Sequence, residues 1–346
     1  MEWCATVVPG GGRMTPDGWG AQYAGRRVLV TGGLGFIGSN LAIRLVEHGA
    51  EVTLLDSLLP EHGGDPFNVA PVASRVRVDT SDLRDPHALP AAVRDQEFVF
   101  HLAGQVSHGD SMRDPEIDLA VNCVSTLNLV EACRRCNPAA RLIYTSTRQV
   151  YGVPRRLPVT EDHPALPVDV NGIHKLAAEY YHLLYDRTYG LRSAVLRLTN
   201  TYGPRQQIRS DRQGFVGIFI RQALRGETIR LFGTGTQIRD LDYVDDVVAA
   251  LLAAGVTAGC YGRVLNLGAP RPYSLLELVE VLRGLCPVEY EIVPFPANQK
   301  LIDIGDYYGD YSQFAALTGW QPRIELPEGL ERTLAFYRRH AETYWA

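Results

Sequence analysis

The stretch that decides the fold is VLVTGGLGFIG, residues 28–38. A short β-branched run opens it, and apolar residues at helical spacing continue from Phe36 to His48. Its glycines at positions 33, 35 and 38 have the spacing G-x-G-x-x-G. Glycines at this spacing let the backbone turn tightly and approach a pyrophosphate, to which the start of the following helix offers amide donors. The stretch therefore predicts a dinucleotide-binding turn between a strand and a helix.

The nature of the dinucleotide is indicated by Asp56. This residue ends the next predicted strand, Val52–Leu55, and lies 18 residues after Gly38. A carboxylate at that place accepts hydrogen bonds from the adenosine ribose hydroxyls and repels a ribose 2′-phosphate. Since no Arg or Lys follows closely to receive such a phosphate, the sequence favours NAD over NADP.

Short apolar strands alternate with helix-length segments outward from this turn. Further strands are predicted at 76–78, 98–102, 142–145 and 194–198, and helices at 126–135 and 175–185. This alternation predicts an α/β fold, with a Rossmann-like, doubly wound parallel sheet and a smaller, interleaved C-terminal substrate lobe. The expected units are a loose tail (1–25), an NAD-binding domain (26–202 with part of 239–270) and a substrate-binding lobe (203–238 and 271–346).

Composition narrows the class of protein. The chain has 346 residues, 46% of them hydrophobic and 21% charged, with a formal net charge of -5. These values are ordinary for a globular enzyme and give no reason to expect nucleic acid as a partner. The longest apolar run, 247–254, is far short of the roughly 20 residues that span a membrane.

The six cysteines are too few for a disulfide framework in a chain of this length. Cys133 and Cys136 form a C-x-x-C pair late in a predicted helix, but no second pair of ligands follows at zinc spacing. The sequence therefore predicts no metal site, and it favours a reducing, cytoplasmic location.

Seven spaced motifs now carry a resemblance to a known family. They are TGGLGFIG (31–38), SDLRD (81–85), HLAGQVS (101–107), YTSTRQVYG (144–152), HKLAAE (174–179), LRLTNTYGP (196–204) and RDLDYVDDV (239–247). In this order they resemble the extended short-chain dehydrogenase/reductase family, specifically its nucleotide-sugar epimerases and dehydratases. The resemblance implies bound NAD and a sugar nucleotide, with a UDP-sugar favoured. It also implies a homodimer formed through the helices at 126–135 and 175–185.

By this resemblance, the cofactor-binding residues include Asp82 on the adenine amino group and Lys175 on the nicotinamide ribose. The full expected set is Gly32, Gly35, Phe36, Ile37, Gly38, Asp56, Ser57, Asp82, Leu83, Leu102, Ala103, Gly104 and Lys175.

The family's reaction centre combines a Ser or Thr, a Tyr that takes the sugar hydroxyl proton, and a Lys that lowers the pKa of the Tyr. Thr147 and Lys175 match two of these positions, but the Tyr position is Asn171. An amide forms hydrogen bonds but is no base near neutral pH. Three hypotheses remain: Lys175 or His174 takes the proton, Asn171 orders a water that relays it, or the chain only binds its ligands.

The two residues after Thr147 bear on the reaction. Dehydratases of this family resemble one another in placing Asp-Glu there, whereas this chain has Arg148 and Gln149. Neither is a carboxylic acid, so loss of water by the usual route is disfavoured. Arg148 could instead hold a sugar carboxylate such as that of a uronic acid, with a solvated surface arginine as the equal alternative.

The remaining expected substrate-binding residues are Gln105, Asn200, Arg239 and Lys300, the last three near the sugar diphosphate. Together these features favour an NAD-dependent epimerisation at C4 of an NDP-hexose or NDP-uronic acid, through a transient 4-keto sugar. The alternatives are a decarboxylase or dehydratase with unusual acid and base groups, and a protein that binds a sugar nucleotide without catalysis.

Overall fold

The β-branched run at the start of the glycine stretch forms the middle of a parallel sheet. The structure, a computed structural model, describes residues 16–59, 62–210 and 214–345. Their strands are β1 (Arg27–Thr31), β2 (Glu51–Leu55), β3 (Val76–Asp79), β4 (Phe98–His101), β5 (Arg141–Thr147), β6 (Ser193–Leu198), β7 (Asn200–Tyr202), β8 (Ile229–Phe232), β9 (Ile238–Arg239), β10 (Leu241–Tyr243), β11 (Val264–Asn266), β12 (Tyr273–Ser274) and β13 (Tyr290–Val293).

The described helices lie on both faces of this sheet and in the second lobe. They are α1 (Pro16–Ala21), α2 (Phe36–Glu47), α3 (Leu89–Val93), α4 (His108–Arg113), α5 (Pro115–Asp118), α6 (Ser125–Cys136), α7 (Val170–Tyr189), α8 (Phe215–Arg225), α9 (Val244–Val256), α10 (Leu275–Leu285), α11 (Ala297–Lys300), α12 (Ser312–Thr318), α13 (Leu326–Arg339) and α14 (Ala341–Trp345). None of the helices in the described ranges is long and apolar enough to cross a membrane.

The sheet has seven parallel strands in the order β11-β6-β5-β4-β1-β2-β3. Alternate residues of β1 pack on opposite faces: Val28 and Val30 contact α2 and α9, whereas Leu29 joins the core beneath α3 and α6. Both faces are apolar because helices cover both. This arrangement confirms the predicted Rossmann-like, doubly wound α/β fold.

The seventh strand comes from far along the chain. After β6, the polypeptide passes through β7 to β10 and α8, returns along α9, and only then adds β11 beside β6. The second lobe pairs β8 with β13 and β9 with β12, outside the main sheet. The two predicted lobes are therefore interleaved along the sequence.

The N-terminal segment corrects one expectation. Residues 16–21 form α1, and Trp19 and Tyr23 are buried in the core. The Tyr23 hydroxyl donates to Leu252 O in α9 at 2.9 Å. The prediction of a loose tail is therefore wrong for residues 16–25, because two large aromatic side chains fix this segment to the domain. Residues 1–15 of the expected tail lie outside the described residues.

Candidate active site

The glycine turn is shaped by close backbone approaches. Gly32 has φ +67°, and a Cβ there would lie 2.8 Å from Ala103 N. A Cβ on Gly38 would lie 2.1 Å from Gly32 O, so only glycine lets α2 start this close to β1. Phe36 and Ile37 open α2 directly after the turn, with Gly35 as its N-cap. The turn and the amides that begin α2 form a cradle that fits a dinucleotide pyrophosphate.

Asp56 follows β2 at the same edge of the sheet. Its carboxylate accepts hydrogen bonds from Leu34 N at 3.0 Å and Leu58 N at 3.1 Å. Burial raises the pKa of Asp56, and these two amides oppose the rise. The carboxylate thus connects the glycine turn to the loop after β2, where a ribose would lie.

A slot beside Asp56 contains three of the expected cofactor-binding residues, Ser57, Asp82 and Leu83. It is lined by Leu55, Ser57, Leu59, Asp82, Leu83, Arg84, Val121 and Ser125. The Asp82 carboxylate accepts three hydrogen bonds from the Arg84 side chain, two from Nε at 3.0 Å and one from Nη2 at 2.5 Å, and this pairing is the main cause that lowers the pKa of Asp82. An adenine amino group at Asp82 would therefore share the carboxylate with Arg84.

Lys175 lies next to the segment that follows β4. Its Nζ donates to Thr145 O at 3.3 Å and lies 5.0 Å from the centroid of the Tyr144 ring. A Cβ on Gly104 would be 2.9 Å from this Nζ, so the lysine packs directly against the Gly104 backbone, which follows Leu102 and Ala103 after β4. Burial lowers the pKa of Lys175 to about 8, against the attraction of Asp118 and Glu179.

Asn171 is buried at the position of the family's tyrosine. Its Nδ2 donates to Gln105 O at 2.9 Å and to Asp118 Oδ2 at 3.0 Å. The Asn171 amide therefore connects α7 to Gln105, in the loop after β4, and to α5. Asp118, which the sequence reasoning missed, is fully buried and also lies 2.7 Å from His174 Nδ1. In the sequence, the sign that could have indicated Asp118 was an acidic residue between apolar residues of a helical segment.

Thr147 ends β5 and caps the short 3-10 helix at 148–151, where its Oγ1 accepts from Gln149 N at 3.2 Å. The Gln149 side chain points away into the protein and donates to Asp169 Oδ2 at 2.7 Å and Ile302 O at 3.2 Å. Gln105 contributes its backbone to the Asn171 contact, while its Nε2 donates to Ser107 O at 2.9 Å. Thr147, Asn171 and Lys175 are thus gathered around the carboxyl ends of β4 and β5.

A second cluster joins the two lobes next to Thr147. Arg148 donates to Asn200 Oδ1 at 2.8 Å, and its guanidinium lies 5.5 Å from the centroid of the Tyr307 ring. Burial, together with the nearby charge of Arg239, lowers the pKa of Arg148 to about 10. Arg239 itself donates to Gly305 O at 2.6 Å and to Asp303 at 3.0 Å.

Lys300 lies apart from this cluster. It is exposed at the end of α11, and no side-chain contact joins it to Arg148, Asn200 or Arg239 in the described ranges. The loop that follows Lys300 does contact Arg239, through Asp303 and Gly305. Its assignment to the diphosphate stays a prediction.

A family model described as the NAD dependent epimerase/dehydratase family matches residues 28–268. The chain belongs to the NAD-dependent epimerase/dehydratase family. The expected resemblance to the extended short-chain dehydrogenase/reductases is therefore confirmed, as is NAD as the cofactor. The chain is an NAD-dependent nucleotide-sugar epimerase of the extended type.

Individual members of the family align over nearly the whole chain. A UDP-glucose 4-epimerase of Mycolicibacterium smegmatis is 34% identical over 320 residues, which cover 91% of this chain and 100% of the relative. The structure of a UDP-glucose 4-epimerase with UDP-glucose from Thermotoga maritima superposes with a TM-score of 0.84 at 32% identity, covering 91% of this chain and 99% of the other. MoeE5 in complex with UDP-glucuronic acid and NAD superposes with a TM-score of 0.79 at 30% identity, over 91% and 99%.

Proposed function

We propose that this epimerase interconverts two UDP-sugars that differ at C4, through a transient 4-keto sugar. The observation that carries this proposal is the cluster of the buried Arg239 with the partly buried Arg148 and Asn200, beside Thr147. A sugar diphosphate brings two negative charges, which the guanidinium groups of Arg148 and Arg239 are suited to neutralise. Burial lowers the pKa of both arginines, so an anion bound between them would stabilise their charged forms.

The residues around Thr147 have distinct parts in this reaction. The Thr147 hydroxyl holds the reacting sugar hydroxyl, and Lys175 binds the nicotinamide ribose while its ammonium group favours loss of the hydroxyl proton. Asn171 holds the loop after β4 and helix α5 in place, since its amide donates to Gln105 O and to Asp118. When NAD is bound, it would supply reversible hydride transfer at the sugar carbon.

The two residues that follow Thr147 argue against a dehydration reaction. Arg148 and Gln149 occupy the places of the two carboxylic residues, and the Gln149 amide is already bound to Asp169 and Ile302 O. Neither side chain can supply an acid and a base to the sugar. Arg148 could pair with the carboxylate of a uronic acid if it leaves Asn200, which makes UDP-uronic acids substrates to compare with UDP-hexoses.

The test begins with the purified protein and its bound cofactor. Released NAD is identified, and the protein is then incubated with UDP-glucose, UDP-galactose, UDP-glucuronic acid and UDP-galacturonic acid. We expect NMR to show a C4 epimer from at least one pair. Arg148→Leu should weaken UDP-sugar binding by about 1.5–3 kcal/mol, since it removes a charged hydrogen-bond donor. If Arg148 contacts only the carboxylate of a uronic acid, Arg148→Leu should weaken the binding of UDP-uronic acids and leave the binding of UDP-hexoses unchanged.

Arg230→Leu is the matched control, because Arg230 is an exposed arginine paired with Glu291 in the second lobe. Binding should be unchanged in this variant. The proposal is wrong if every sugar is returned unaltered, or if the products are dehydrated or decarboxylated.

We also propose that the protein is a homodimer. Ile173, Tyr180 and Leu184 are exposed apolar residues at spacings of 7 and 4 along α7, so they form one stripe on that helix. Leu119 and Val124, on the neighbouring segment that leads into α6, are also exposed. A second copy packed on this face would cover both groups.

A cytoplasmic location is consistent with the thiols. The five cysteines in the described ranges are all free, and four of them are buried. Burial raises the pKa of Cys133 to about 12, so this thiol stays protonated and unreactive. We propose that the protein works in a reducing compartment.

A further inference from the structure

Arg239, in β9, is held by the loop that follows α11. Its Nη1 donates to Ile238 O at 2.9 Å and to Gly305 O at 2.6 Å, and its Nη2 donates to Asp303 Oδ1 at 3.0 Å. The Arg239 side chain is only 9% exposed, whereas that of Asp303 is 24% exposed. Two backbone carbonyls therefore orient the guanidinium group, and one partly exposed carboxylate neutralises its charge.

The charge of Asp303 also acts on Arg148. Burial, together with the charge of Arg239, lowers the pKa of Arg148, and Asp303 is among the groups that oppose this change. Asp303 likewise opposes the effect of burial on the pKa of Arg239. Asp303 thus supplies negative charge to the same two guanidinium groups to which we assign the sugar diphosphate.

Two carboxylates contribute charge to this cluster, but only one of them is loosely held. The buried Asp240 carboxylate accepts hydrogen bonds from Ala269 N and Gly309 N, each at 2.8 Å. Within the described residues, the Asp303 carboxylate accepts only the hydrogen bond from Arg239. Asp303 can therefore leave with the loss of one contact, whereas a movement of Asp240 would leave two backbone amides unpaired.

The backbone around Asp303 is fixed. Ile304 is 2% exposed within a small apolar core, and Ile302 O accepts from Gln149 Nε2 at 3.2 Å. The loop can therefore stay in place while the Asp303 side chain turns towards solvent. Such a rotation would make Arg239 Nη2 available to another anion, with the guanidinium group still oriented by its two carbonyls.

We propose that Asp303 competes with the sugar diphosphate for Arg239 and Arg148, and so determines how tightly the site binds anions. The inference rests on the sugar-diphosphate site of the proposed function. An anion that binds there must first replace an intramolecular contact. Inorganic phosphate has no other group to bind and gains little from this exchange, whereas a nucleotide sugar gains further contacts through its base and sugar. Asp303 therefore keeps small anions out of the site.

The experiment compares Asp303→Asn with Asp162→Asn by calorimetric titration with UDP. Asp162 is an exposed carboxylate that pairs with Arg156 outside this cluster, so its variant is the matched control for the loss of an arginine–aspartate pair. Asp303→Asn should bind UDP about tenfold more tightly, because a charged hydrogen bond no longer has to be broken. Asp162→Asn should bind UDP as the unmodified protein does.

Thermal unfolding separates this competition from a purely structural contact. Without ligand, Asp303→Asn should melt at a lower temperature, because the buried Arg239 loses its carboxylate partner. With UDP, the melting temperature of this variant should rise by more than that of the unmodified protein. A purely structural contact would instead lower the melting temperature and weaken the binding of UDP together.

Inorganic phosphate and a UDP complex supply two further measurements. The dissociation constant of phosphate, measured by its competition with UDP, should fall by a similar factor in Asp303→Asn. A crystal structure of the unmodified protein with UDP should show a phosphate oxygen at Arg239 Nη2 and the Asp303 carboxylate turned away from it.

The outcomes separate the two proposals. The competition is wrong if UDP binds Asp303→Asn no more tightly than the unmodified protein, or if Asp303 still accepts from Arg239 in the UDP complex. Failure of UDP to bind either protein contradicts the diphosphate site and with it the role of Asp303. Tighter binding of UDP by Asp303→Asn, in a protein without epimerase activity, contradicts the C4 reaction alone.

Discussion

Asp56 is the residue on which the choice between NAD and NADP depends. Asp56→Asn removes the charge from the carboxylate that is predicted to bind the ribose, and it should weaken NAD binding by about 1.5–3 kcal/mol. The affinity for NADP should fall less, because its 2′-phosphate no longer meets a carboxylate. The difference in affinity between NAD and NADP should therefore become smaller. Calorimetric titration of both dinucleotides measures this change. Glu51→Gln, an exposed carboxylate on the same strand, is the control. Tighter binding of NADP to the unmodified protein would contradict the assignment.

For single residues, the sequence allowed predictions where a short local motif determines the position of the side chain. The positions of the glycine turn, Asp56 and Lys175 in the fold were predicted because each follows a strand or occupies a helix at a fixed spacing, and their contacts with NAD stay predictions. Asp118 was missed, since its importance comes from contacts with His174 and Asn171, more than 50 residues away along the chain. No periodicity within one segment indicates which histidine a buried carboxylate will meet.

At the scale of elements, the packing of α2 on the glycine turn limits what position 38 can hold. Gly38→Ala would place a Cβ at 2.1 Å from Gly32 O, so the helix must move. We expect a loss of about 1–3 kcal/mol in unfolding free energy and weaker NAD binding, because the amides leave the pyrophosphate position. Gly284 lies in the exposed part of α10, and a Cβ there would have no atom within 4 Å. Gly284→Ala should therefore raise the unfolding free energy by about 0.5–1 kcal/mol.

Denaturant unfolding and NAD titration of the two variants check this contrast. Equal stability and equal affinity in Gly38→Ala would show that the turn tolerates a side chain.

Element boundaries were predicted less well than element types. Helix α7 was expected at 175–185 but begins at Val170, because Asp169 caps it, and ends before Gly190 with φ +70°. Helix α1 was missed altogether. Its six residues include a proline and two glycines, and it is held by Trp19 and Tyr23 against distant strands and α9. Such a helix depends on tertiary contacts that composition does not reveal.

For the whole molecule, the apolar stripe on α7 determines the expected assembly. Light scattering should give twice the chain mass of 38.3 kDa. Tyr180→Glu, at a position 63% exposed in the isolated chain, should give monomers because it would bury a charge in the interface. Leu301→Glu, at an 81% exposed position in the second lobe, should leave the mass unchanged. A monomeric unmodified protein would contradict the dimer.

The late addition of β11 beside β6 has a consequence for recombination between relatives. An exchange at a single point after Tyr202 would combine six strands from one parent with the seventh strand and α9 from another. The contacts between segments from the two parents would then lie in the apolar centre of the sheet, where small differences in side-chain volume lower the stability of the fold. A chimaera that transfers the specificity of one lobe therefore needs several crossovers, around 203–238 and after 271, with α9 and β11 kept from the recipient.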